Sequence, residues 1–431
     1  MASQSSSGGV QDQSTSDEKY ERLIRDHRDL VKYECTSKIV VALDDMSVKI
    51  EDILYLLQEN ALSDFWIPMS RNSFPRRLSP SQYPRFSTIQ SQLLVGEFIV
   101  GNKRPCGHLS LSDNAIHKNT LLPKTLQYIE DIGDNNQTNL TDVTEVKYGS
   151  ETFALKRIKR NTGGNHVEES AQMHYINGEL RILRKLRPTR IRHFIELVGS
   201  YTDSQYIGML LSPKADCNLA GFLDNFRESY HIRLQRFFGC LATALAYLHY
   251  VQKVRHKDIK PQNILIKDNN VLLTDFGISL DWSPTNRTTT QKEKFKSGIY
   301  CAPEVDNEGQ PRNSKSDIWS LGCVFMEMFV VLKGKKRGHV SDTLQRYGSP
   351  RFCKSPRGIE DLIVELRADS SQDNVPLDWI ERMLQHAVEK RPHAVDLRDE
   401  ILLIESYCGI CCQSHRIFEN EASSQSNEHT D

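Results

Sequence analysis

The feature that most constrains this chain is a stretch of about fifty residues in which three short motifs follow one another in a fixed order. They are His256-Lys257-Asp258-Ile259-Lys260-Pro261-Gln262-Asn263, Asp275-Phe276-Gly277 and Ala302-Pro303-Glu304. Apolar runs at residues 264–266 and 271–273 flank a polar turn between the first two motifs, which predicts a β-hairpin. This hairpin would carry Asn263 at one end and Asp275 at the other. One tripeptide recurs by chance, but three motifs in this order and spacing rarely do.

Together the three motifs resemble the catalytic loop, the metal-binding turn and the end of the activation segment of eukaryotic protein kinases. The resemblance implies transfer of the γ-phosphate of ATP to a hydroxyl group, which depends on positioning and on neutralising spread negative charge. Asp258 would then be the catalytic base, and Lys260 would contact the γ-phosphate, as in the Ser/Thr-directed kinases. Asn263 and Asp275 would be the ligands of Mg²⁺, which prefers hard oxygen atoms.

A strand and a helix upstream resemble the part of the family that holds the phosphates. The run at residues 151–156 is similar to the family's Val-Ala-Ile-Lys, and strand alternation puts Ala154 and Lys156 on one face. Glu179 lies within the apolar stripe of a predicted helix, where an unpaired carboxylate would be costly. Pairing with Lys156 removes that cost, as the kinase ion pair does. The stripe consists of Ile176, Leu180, Leu183 and Leu186.

The resemblance also implies the remaining nucleotide contacts. They are the loop residue Gly133, Val143, the gatekeeper Leu211, the hinge residues Ser212 and Lys214, and the adenine floor Leu265. The phosphate-covering loop departs from the family pattern, because no second or third glycine follows Gly133 before Val143. Asn135, Asn136 and Asn139 tolerate positive φ better than most residues and would substitute in part. The departure favours weaker or slower nucleotide binding.

Three features downstream match the large lobe of the family. Leu234, Phe238, Leu241, Leu245 and Leu248 recur at helical spacing and predict a buried helix. Asp317 begins a second apolar helix and would anchor the backbone of the catalytic loop. Arg391 is the expected partner of Glu304. Small-molecule phosphotransferases share the Asp and Asn residues but not Ala302-Pro303-Glu304, Asp317 and Arg391, so these favour protein substrates with Ser or Thr.

The segment between Asp275 and Glu304 is rich in hydroxyl groups and cations. The residues are Ser283, Thr285, Thr288, Thr289, Thr290, Arg287, Lys292, Lys294 and Lys296. An upstream kinase is therefore a predicted partner. Lys257 stands where many kinases have the Arg that holds an activation-loop phosphate, and a Lys cannot make the bidentate contact. Ser297 is interpreted as structural, in contact with the catalytic Asp and Lys.

We therefore expect an α+β protein with the two-lobed protein kinase fold and an N-terminal extension. The predicted parts are a disordered tail (1–17), a partly helical extension (18–120), the kinase domain (121–405) and a Cys-containing, disordered C-terminal tail (406–431). Within the domain we expect a small β-rich N-lobe with an αC helix (121–211), a hinge (212–214) and a larger, mostly helical C-lobe (215–405). The extension is either a regulatory module or a helical addition packed on the small lobe, and the second is favoured.

Composition excludes several other classes of partner. The net charge of −1 argues against an obligate nucleic-acid partner, and no apolar run is long enough to span a bilayer. We expect a soluble protein in the cytoplasm or the nucleus. Its ten cysteines are interpreted as free thiols. The run from Lys333 to Arg337 is either a nuclear signal or, as is more common for a charge run, a solvated loop.

The C-terminal cysteines leave a further choice open. Cys408, Cys411, Cys412 and His415 offer four zinc ligands, but their spacing fits no standard pair of ligand knuckles, so plain or lipidated thiols are favoured. The run at residues 210–217, together with this Cys-rich ending, resembles an expanded group of fungal protein kinases.

A pseudokinase scaffold is the main alternative function, and the degenerate glycine loop supports it. The presence of the whole catalytic set argues against it, because a non-catalytic protein has no physical need for these residues. The set consists of Lys156, Glu179, Asp258, Lys260, Asn263 and Asp275.

Overall fold

A computed structural model describes residues 108–110, 126–132, 140–160, 166–186, 191–202, 205–281, 298–307, 312–370 and 373–412. The predicted N-terminal tail, most of the N-terminal extension, Gly133 with its loop, residues 282–297, and residues 413–431 of the predicted C-terminal tail lie outside this set. The chain forms two units. The first comprises the described residues up to Asn177 together with Leu197–Ser212, and the second comprises Gly178–Glu196 and the described residues from Pro213 onward.

The described residues of the first unit form a six-stranded sheet in the order β1-β5-β6-β4-β3-β2. Its strands are β1 (His108–Ser110), β2 (Gln127–Asp131), β3 (Thr141–Tyr148), β4 (Glu151–Lys159), β5 (Glu196–Thr202) and β6 (Tyr206–Ser212). β1 pairs with β5 in parallel, whereas β2–β3, β3–β4 and β4–β6 are antiparallel. Strand alternation sends Phe153 and Leu155 into a core with Val146 and Leu210. The opposite face of β4 therefore carries Ala154 and Lys156.

The second unit is mostly helical. Its described residues contain five short strands, which form a three-stranded sheet in the order β10-β9-β7 and a two-stranded sheet of β11 and β8. The strands are β7 (Cys217–Asn218), β8 (Val254–Arg255), β9 (Ile264–Lys267), β10 (Asn270–Leu273) and β11 (Leu280–Asp281). Helix α1 (His166–Leu186) begins in the first unit and ends in the second. The other helices of the second unit are α2 (Leu219–Asp224), α3 (His231–Ala246), α4 (Pro303–Asp306), α5 (Lys315–Leu332), α6 (Gly338–Arg346), α7 (Pro356–Ala368), α8 (Val375–Met383) and α9 (Ala394–Leu402). A sheet-rich first unit and a helix-rich second unit confirm the predicted α+β class.

Two apolar helices form the centre of the second unit. The predicted stripe on α3 is confirmed, because all five of its residues are buried, and Leu248 extends it into the turn that follows the helix. Helix α5 is buried along its whole length. The rings of Phe238 on α3 and Phe325 on α5 lie 4.6 Å apart between centroids. This packing holds together α3, which precedes the catalytic-loop motif in the chain, and α5, which follows it.

The C-terminal part of α1 belongs to the second unit. Its apolar stripe is buried as predicted, and so is Glu179, with 1% of its surface exposed. Lys185 at the end of the helix donates to the carbonyl oxygen of Gln252 at 2.7 Å and forms an ion pair with Asp281 at 3.1 Å. A Cβ placed at Gly178 would lie 4.0 Å from the carbonyl oxygen of Gly277. The helix therefore runs beside the turn Asp275-Phe276-Gly277.

The charged run after α5 is not a solvated loop as a whole, so that prediction is wrong for part of it. Lys333 is buried and donates to the carbonyl oxygen of Asp369. Arg337 makes two hydrogen bonds to Asp224, at 2.8 and 2.9 Å, and a longer one to Glu327. Partners far along the chain hold these cations, a backbone oxygen for Lys333 and the Asp224 carboxylate for Arg337, and a local charge count does not reveal them. None of the helices in the described part of the chain combines the length and apolar character needed to cross a lipid bilayer.

Candidate active site

The catalytic-loop segment is anchored through its backbone to Asp317 at the start of α5. The carboxylate accepts the N–H of His256 at 2.8 Å and the N–H of Lys257 at 2.8 Å, which confirms the predicted anchor. His249 adds a hydrogen bond at 2.9 Å. Burial alone would raise the pKa of Asp317, but the hydrogen bond and charge of His249, with the charge of His256 and the N–H of Lys257, hold it below its ordinary value. Asp317 is therefore a carboxylate over the working pH range.

Asp258, Lys260 and Asn263 come together in one hydrogen-bonded cluster. The Lys260 ammonium lies 2.8 Å from Asp258 Oδ2, and the amide of Asn263 donates to the same oxygen at 2.8 Å. Asn263 also donates to the backbone oxygen of Asp258 at 2.9 Å. Asp258 Oδ1 accepts no hydrogen bond from any residue that the structure describes. Two donors thus fix the carboxylate through Oδ2, and within the described part of the chain Oδ1 has no donor.

The predicted hairpin is confirmed and places Asn263 beside the Asp275 turn. Strands β9 and β10 pair in antiparallel register from Ile264↔Leu273 to Lys267↔Asn270. The N–H of Thr274 then donates to the carbonyl oxygen of Asn263 at 3.1 Å. The Asn263 amide nitrogen is used for Asp258, so its side-chain oxygen is the atom left for another partner. Asn263 and Asp275 therefore begin and end a single structural element.

Asp275 has a left-handed backbone with a φ of 65°. Such a conformation is uncommon outside glycine and is tolerated best by Asp and Asn. The surrounding packing holds it, because Phe276 is fully buried with its ring centroid 4.9 Å from that of His256 and 6.4 Å from that of Phe194. His256 in turn contacts the carbonyl oxygen of Thr274 through Nε2 at 3.0 Å. The catalytic loop and the Asp275 turn therefore support each other.

In the first unit, four predicted nucleotide contacts share one face of the sheet. Residues directly opposite each other in neighbouring strands point to the same side. Val143 on β3 pairs with Lys156 on β4, and Ala154 on β4 pairs with Leu211 on β6. Because Ala154 and Lys156 also alternate on that side, all four side chains lie on the face opposite the Phe153–Leu155 core. The N–H of Ile132 donates to the carbonyl oxygen of Val143 at 3.0 Å, so the pairing of β2 with β3 continues to the last described residue before Gly133.

The other predicted contacts are divided between the two units. Ser212 ends β6 in the first unit, and the chain enters the second unit at Pro213, within the predicted hinge. Lys214 is half-buried, and Leu265 on β9 pairs with Asn218 on β7, with its side chain opposite to the buried Ile264 and Ile266. Lys156 lies in the first unit and Glu179 in the second. Their pairing stays a prediction.

The end of the activation segment is fixed by the predicted pair of Glu304 and Arg391. Arg391 donates to the two carboxylate oxygens at 2.7 and 2.9 Å. Both side chains are buried, which confirms the pairing expected from the sequence. Arg391 also donates to backbone oxygens of Lys315 and Gln385. Ser297 and the hydroxyls at 283–290 lie outside the described residues, so their predicted roles stay predictions.

Two contributors to this site were missed from the sequence. His249 sits in the turn Tyr247–Val251 and supports Asp317, although it is 68 residues away from it in the chain. Ser279 donates its hydroxyl to the carbonyl oxygen of His256 at 2.9 Å. Neither belongs to a motif, and no spacing rule identifies them, because the fold brings their partners near, the carboxylate of Asp317 for His249 and the carbonyl oxygen of His256 for Ser279.

Comparison with known proteins gives a consistent result. The family model described as "Protein kinase domain" matches residues 127–401. The chain is 25% identical over 268 residues to serine/threonine-protein kinase Nek10 of Mus musculus, covering 59% of the chain and 22% of that protein. It is 33% identical over 191 residues to the MAP kinase kinase MKK1/SSP32 of Saccharomyces cerevisiae, covering 43% of the chain and 35% of that protein. The chain thus spans well under two thirds of the length of both relatives.

Proposed function

Because the chain belongs to the protein kinase domain family, we propose that it transfers the γ-phosphate of ATP to Ser or Thr hydroxyls of protein substrates. The Ser/Thr preference is supported by Lys260 and by the name of one relative described above, serine/threonine-protein kinase Nek10. We take residues 121–405 as the extent of the domain, which encloses the matched residues 127–401. The observation that carries the proposal is the cluster of Asp258, Lys260 and Asn263.

Asp258 is the proposed catalytic base. Lys260 and Asn263 both donate to Oδ2, which orients the carboxylate. A substrate hydroxyl would donate its hydrogen bond to Oδ1, and its proton would pass to that oxygen as the hydroxyl oxygen attacks the γ-phosphorus. Lys260 would also contact the γ-phosphate, where its fixed positive charge offsets the charge on the transferred group.

Asn263 and Asp275 are the proposed Mg²⁺ ligands. Their donor set fits the ion, because an amide oxygen and a carboxylate are hard oxygen ligands. The Asn263 amide is oriented by its nitrogen, which is committed to Asp258, so the oxygen points elsewhere. When bound, the ion neutralises charge on the β- and γ-phosphates. The left-handed backbone at Asp275 sets the direction of its carboxylate.

The face of the first unit with Val143, Ala154, Lys156 and Leu211 is the proposed nucleotide surface. Its small residue, Ala154, leaves space for the adenine, and Lys156 would contact the α- and β-phosphates. We propose that Glu179 pairs with Lys156, and the burial of Glu179 supports this, because an unpaired buried carboxylate is costly. The further proposed contacts are Gly133, Ser212, Lys214 and Leu265.

A pseudokinase scaffold is the second candidate, and the glycine-poor loop after Gly133 favours it. Such a protein would bind nucleotide weakly and would transfer no phosphate. We further propose that an upstream kinase acts on the hydroxyls at 283–290, and that the protein works in the cytoplasm or the nucleus. These points extend the proposed activity and do not alter the assignment of the catalytic cluster.

The test is transfer of radiolabelled phosphate from Mg·ATP by the purified full chain, to itself and to a generic basic protein. The Asp258→Asn variant should lose incorporation on Ser and Thr by several orders of magnitude. Asp268→Asn is the matched control, because it makes the same chemical change at the exposed hairpin turn, where φ is 50° and Asn is well tolerated. It should retain the wild-type rate.

Two results would contradict the proposal. Equal incorporation by wild type and Asp258→Asn would show that the transfer comes from a contaminant. No incorporation by the wild type, even after treatment with an upstream kinase, would favour the scaffold. In that case Mg·ATP should still raise the melting temperature if nucleotide binding is retained. An unchanged melting temperature would mean that the protein does not use ATP in its function.

A further inference from the structure

One histidine and three cysteines from three distant parts of the chain meet inside the second unit. His193 precedes β5, Cys240 lies on α3, and Cys411 and Cys412 lie in the short 3₁₀ turn Ile410–Cys412. One potential ligand atom from each lies within 4.8 Å of all the others. His193, Cys240 and Cys412 are buried, and Cys411 is half-buried. None of the four takes part in the proposed phosphoryl transfer.

The separations between these atoms match a tetrahedral zinc site. Cys240 and Cys411 are 3.6 Å apart between sulfurs, Cys411 and Cys412 3.6 Å, and Cys412 and Cys240 3.7 Å. A tetrahedron with ordinary Zn–S and Zn–N bonds requires about 3.8 Å between sulfurs and about 3.5 Å between nitrogen and sulfur. His193 Nε2 lies 3.3 Å from the sulfur of Cys412. Shifts of a few tenths of an ångström would thus complete the site.

The sulfur separations do not fit disulfides, which require about 2.05 Å between the two sulfurs. The three thiols are instead nearly equidistant, so no pair is singled out. A set of three sulfurs and one imidazole nitrogen is typical of structural zinc, whereas Mg²⁺ and Ca²⁺ prefer oxygen. The donor set and the spacing therefore point to the same ion.

His193 is oriented as a metal ligand. Its Nδ1 lies 3.0 Å from the carbonyl oxygen of Val271 on β10, so Nδ1 carries the proton and donates it. Nε2 is then the unprotonated nitrogen and faces the sulfurs. A backbone carbonyl that fixes the second nitrogen in this way is a usual companion of zinc-bound histidine. The backbone of His193 is also held, because its carbonyl oxygen accepts the N–H of Leu273 at 2.8 Å.

Two glycines allow the C-terminal segment to reach α3. A Cβ at Gly409 would lie 3.0 Å from the sulfur of Cys411 and 3.2 Å from that of Cys240, tighter than most such contacts. A Cβ at Gly239, beside Cys240, would overlap the backbone oxygen of Tyr407. Tyr407 is buried, with its ring edge-on to Phe238 at 5.7 Å between centroids. The cysteines are therefore delivered by a segment that packs closely on the helix.

We propose that His193, Cys240, Cys411 and Cys412 bind one Zn²⁺ ion in a closed, four-ligand structural site. The ion would join the C-terminal segment, α3 and the chain before β5, and would stabilise the second unit. The group of Cys301, Asp306 and Cys353 does not form a comparable four-ligand site. It offers three potential ligands, and Asp306 already pairs with Arg351 and Lys354.

The first experiment measures zinc by mass spectrometry in the full chain after gel filtration in metal-free buffer. We expect about one zinc per chain in the wild type and less than about a tenth of that in Cys411→Ser. Cys408→Ser is the matched control, because Cys408 is also buried, lies in the same segment and stands outside the four-ligand set. It should keep the full zinc content.

A second measurement on the wild type does not depend on how the variants fold. Replacement of zinc by Co²⁺ should give a thiolate charge-transfer band and the intense visible bands of a tetrahedral complex, and titration of the thiols with a mercurial should release the zinc. Wild-type protein that contains no zinc and gives no such Co²⁺ spectrum would overturn the proposal. Equal zinc in wild type and Cys411→Ser, or a disulfide among the three cysteines found by mass spectrometry, would overturn it as well.

Discussion

Replacing Glu304 by Gln, a change of one carboxylate oxygen to an amide nitrogen, should strongly destabilise the second unit. The substitution keeps the shape of the side chain but removes its charge. Arg391 would then keep a buried positive charge with 1% of its surface exposed and no carboxylate beside it. Removing one partner of a buried ion pair costs about 3–5 kcal/mol, because the other charge stays desolvated.

The contacts that remain around Arg391 favour the lower end of that range. Its guanidinium still donates to the backbone oxygens of Gln385 at 2.7 Å and Lys315 at 3.1 Å. It also lies over the ring of Trp319, 5.1 Å from the centroid. We therefore expect a loss of about 3 kcal/mol, and since 1 kcal/mol changes the melting temperature by about 2–4 °C in a unit of this size, a decrease of about 6–12 °C.

Thermal and urea unfolding of the full chain, followed by tryptophan fluorescence, measure this loss. Glu400→Gln is the matched control, because it removes the same charge from the pair with Arg382, whose side chains are 43% and 42% exposed. An exposed pair is worth at most about 1 kcal/mol, so the control should shift the midpoint by a few degrees or less. Equal shifts in the two variants would refute the argument that burial of the pair determines the cost.

Two further predictions concern the anchor of the catalytic loop and the C-terminal segment. The pKa of Asp317 is lower in the folded chain than in the unfolded chain, so its charge stabilises the fold above about pH 4 and this contribution is lost as the pH falls through the folded pKa. Asp317→Asn should therefore be less stable than wild type by about 2–3 kcal/mol at pH 7, measured by urea unfolding. This difference in unfolding free energy should shrink below about pH 4, and a difference that does not change with pH would contradict the prediction. Gly239→Ala should lower the unfolding free energy by about 1–3 kcal/mol because the new methyl group overlaps the backbone of Tyr407, whereas Gly338→Ala, with nothing within 4 Å of its Cβ, should be neutral or slightly stabilising. If both alanine variants unfold at the same urea concentration, the close contact between Gly239 and the backbone of Tyr407 does not require glycine at position 239.

The parts of this structure that the sequence predicts are those set by short-range periodicity. The hairpin at residues 264–273 was expected from two apolar runs around a polar turn, and its register follows from the length of the turn. The buried stripe of α3 was expected from spacings of three and four. The common face of Ala154 and Lys156 follows from strand alternation, and the register of β3 and β6 adds Val143 and Leu211 to it.

The parts that were missed depend on contacts between residues far apart in the chain. His193 and Cys412 are 219 positions apart, and Cys240 and Cys411 are 171 apart, so no local spacing connects them. From the sequence, Cys408, Cys411, Cys412 and His415 are the candidate zinc ligands, and their spacing favours plain or lipidated thiols instead. The ligands that complete the proposed site, His193 and Cys240, come from other elements. The charge run around Lys333 predicts a solvated loop. Lys333 is buried instead because it donates to the carbonyl oxygen of Asp369, which follows a later helix and is not visible in the local sequence.

The docking of Tyr407 on α3 has a practical consequence for anyone who shortens this protein to its family domain. The matched region ends at residue 401, and a chain cut there would lose Tyr407, Cys411 and Cys412. Phe238 and Trp379 would lose the aromatic ring that packs edge-on against both of them. His193, which is hydrogen-bonded to the strand leading to Asp275, would lose the sulfur beside it. A protein intended for expression and assay should therefore extend at least to Cys412, so that poor yield or low activity is not caused by the position of the cut.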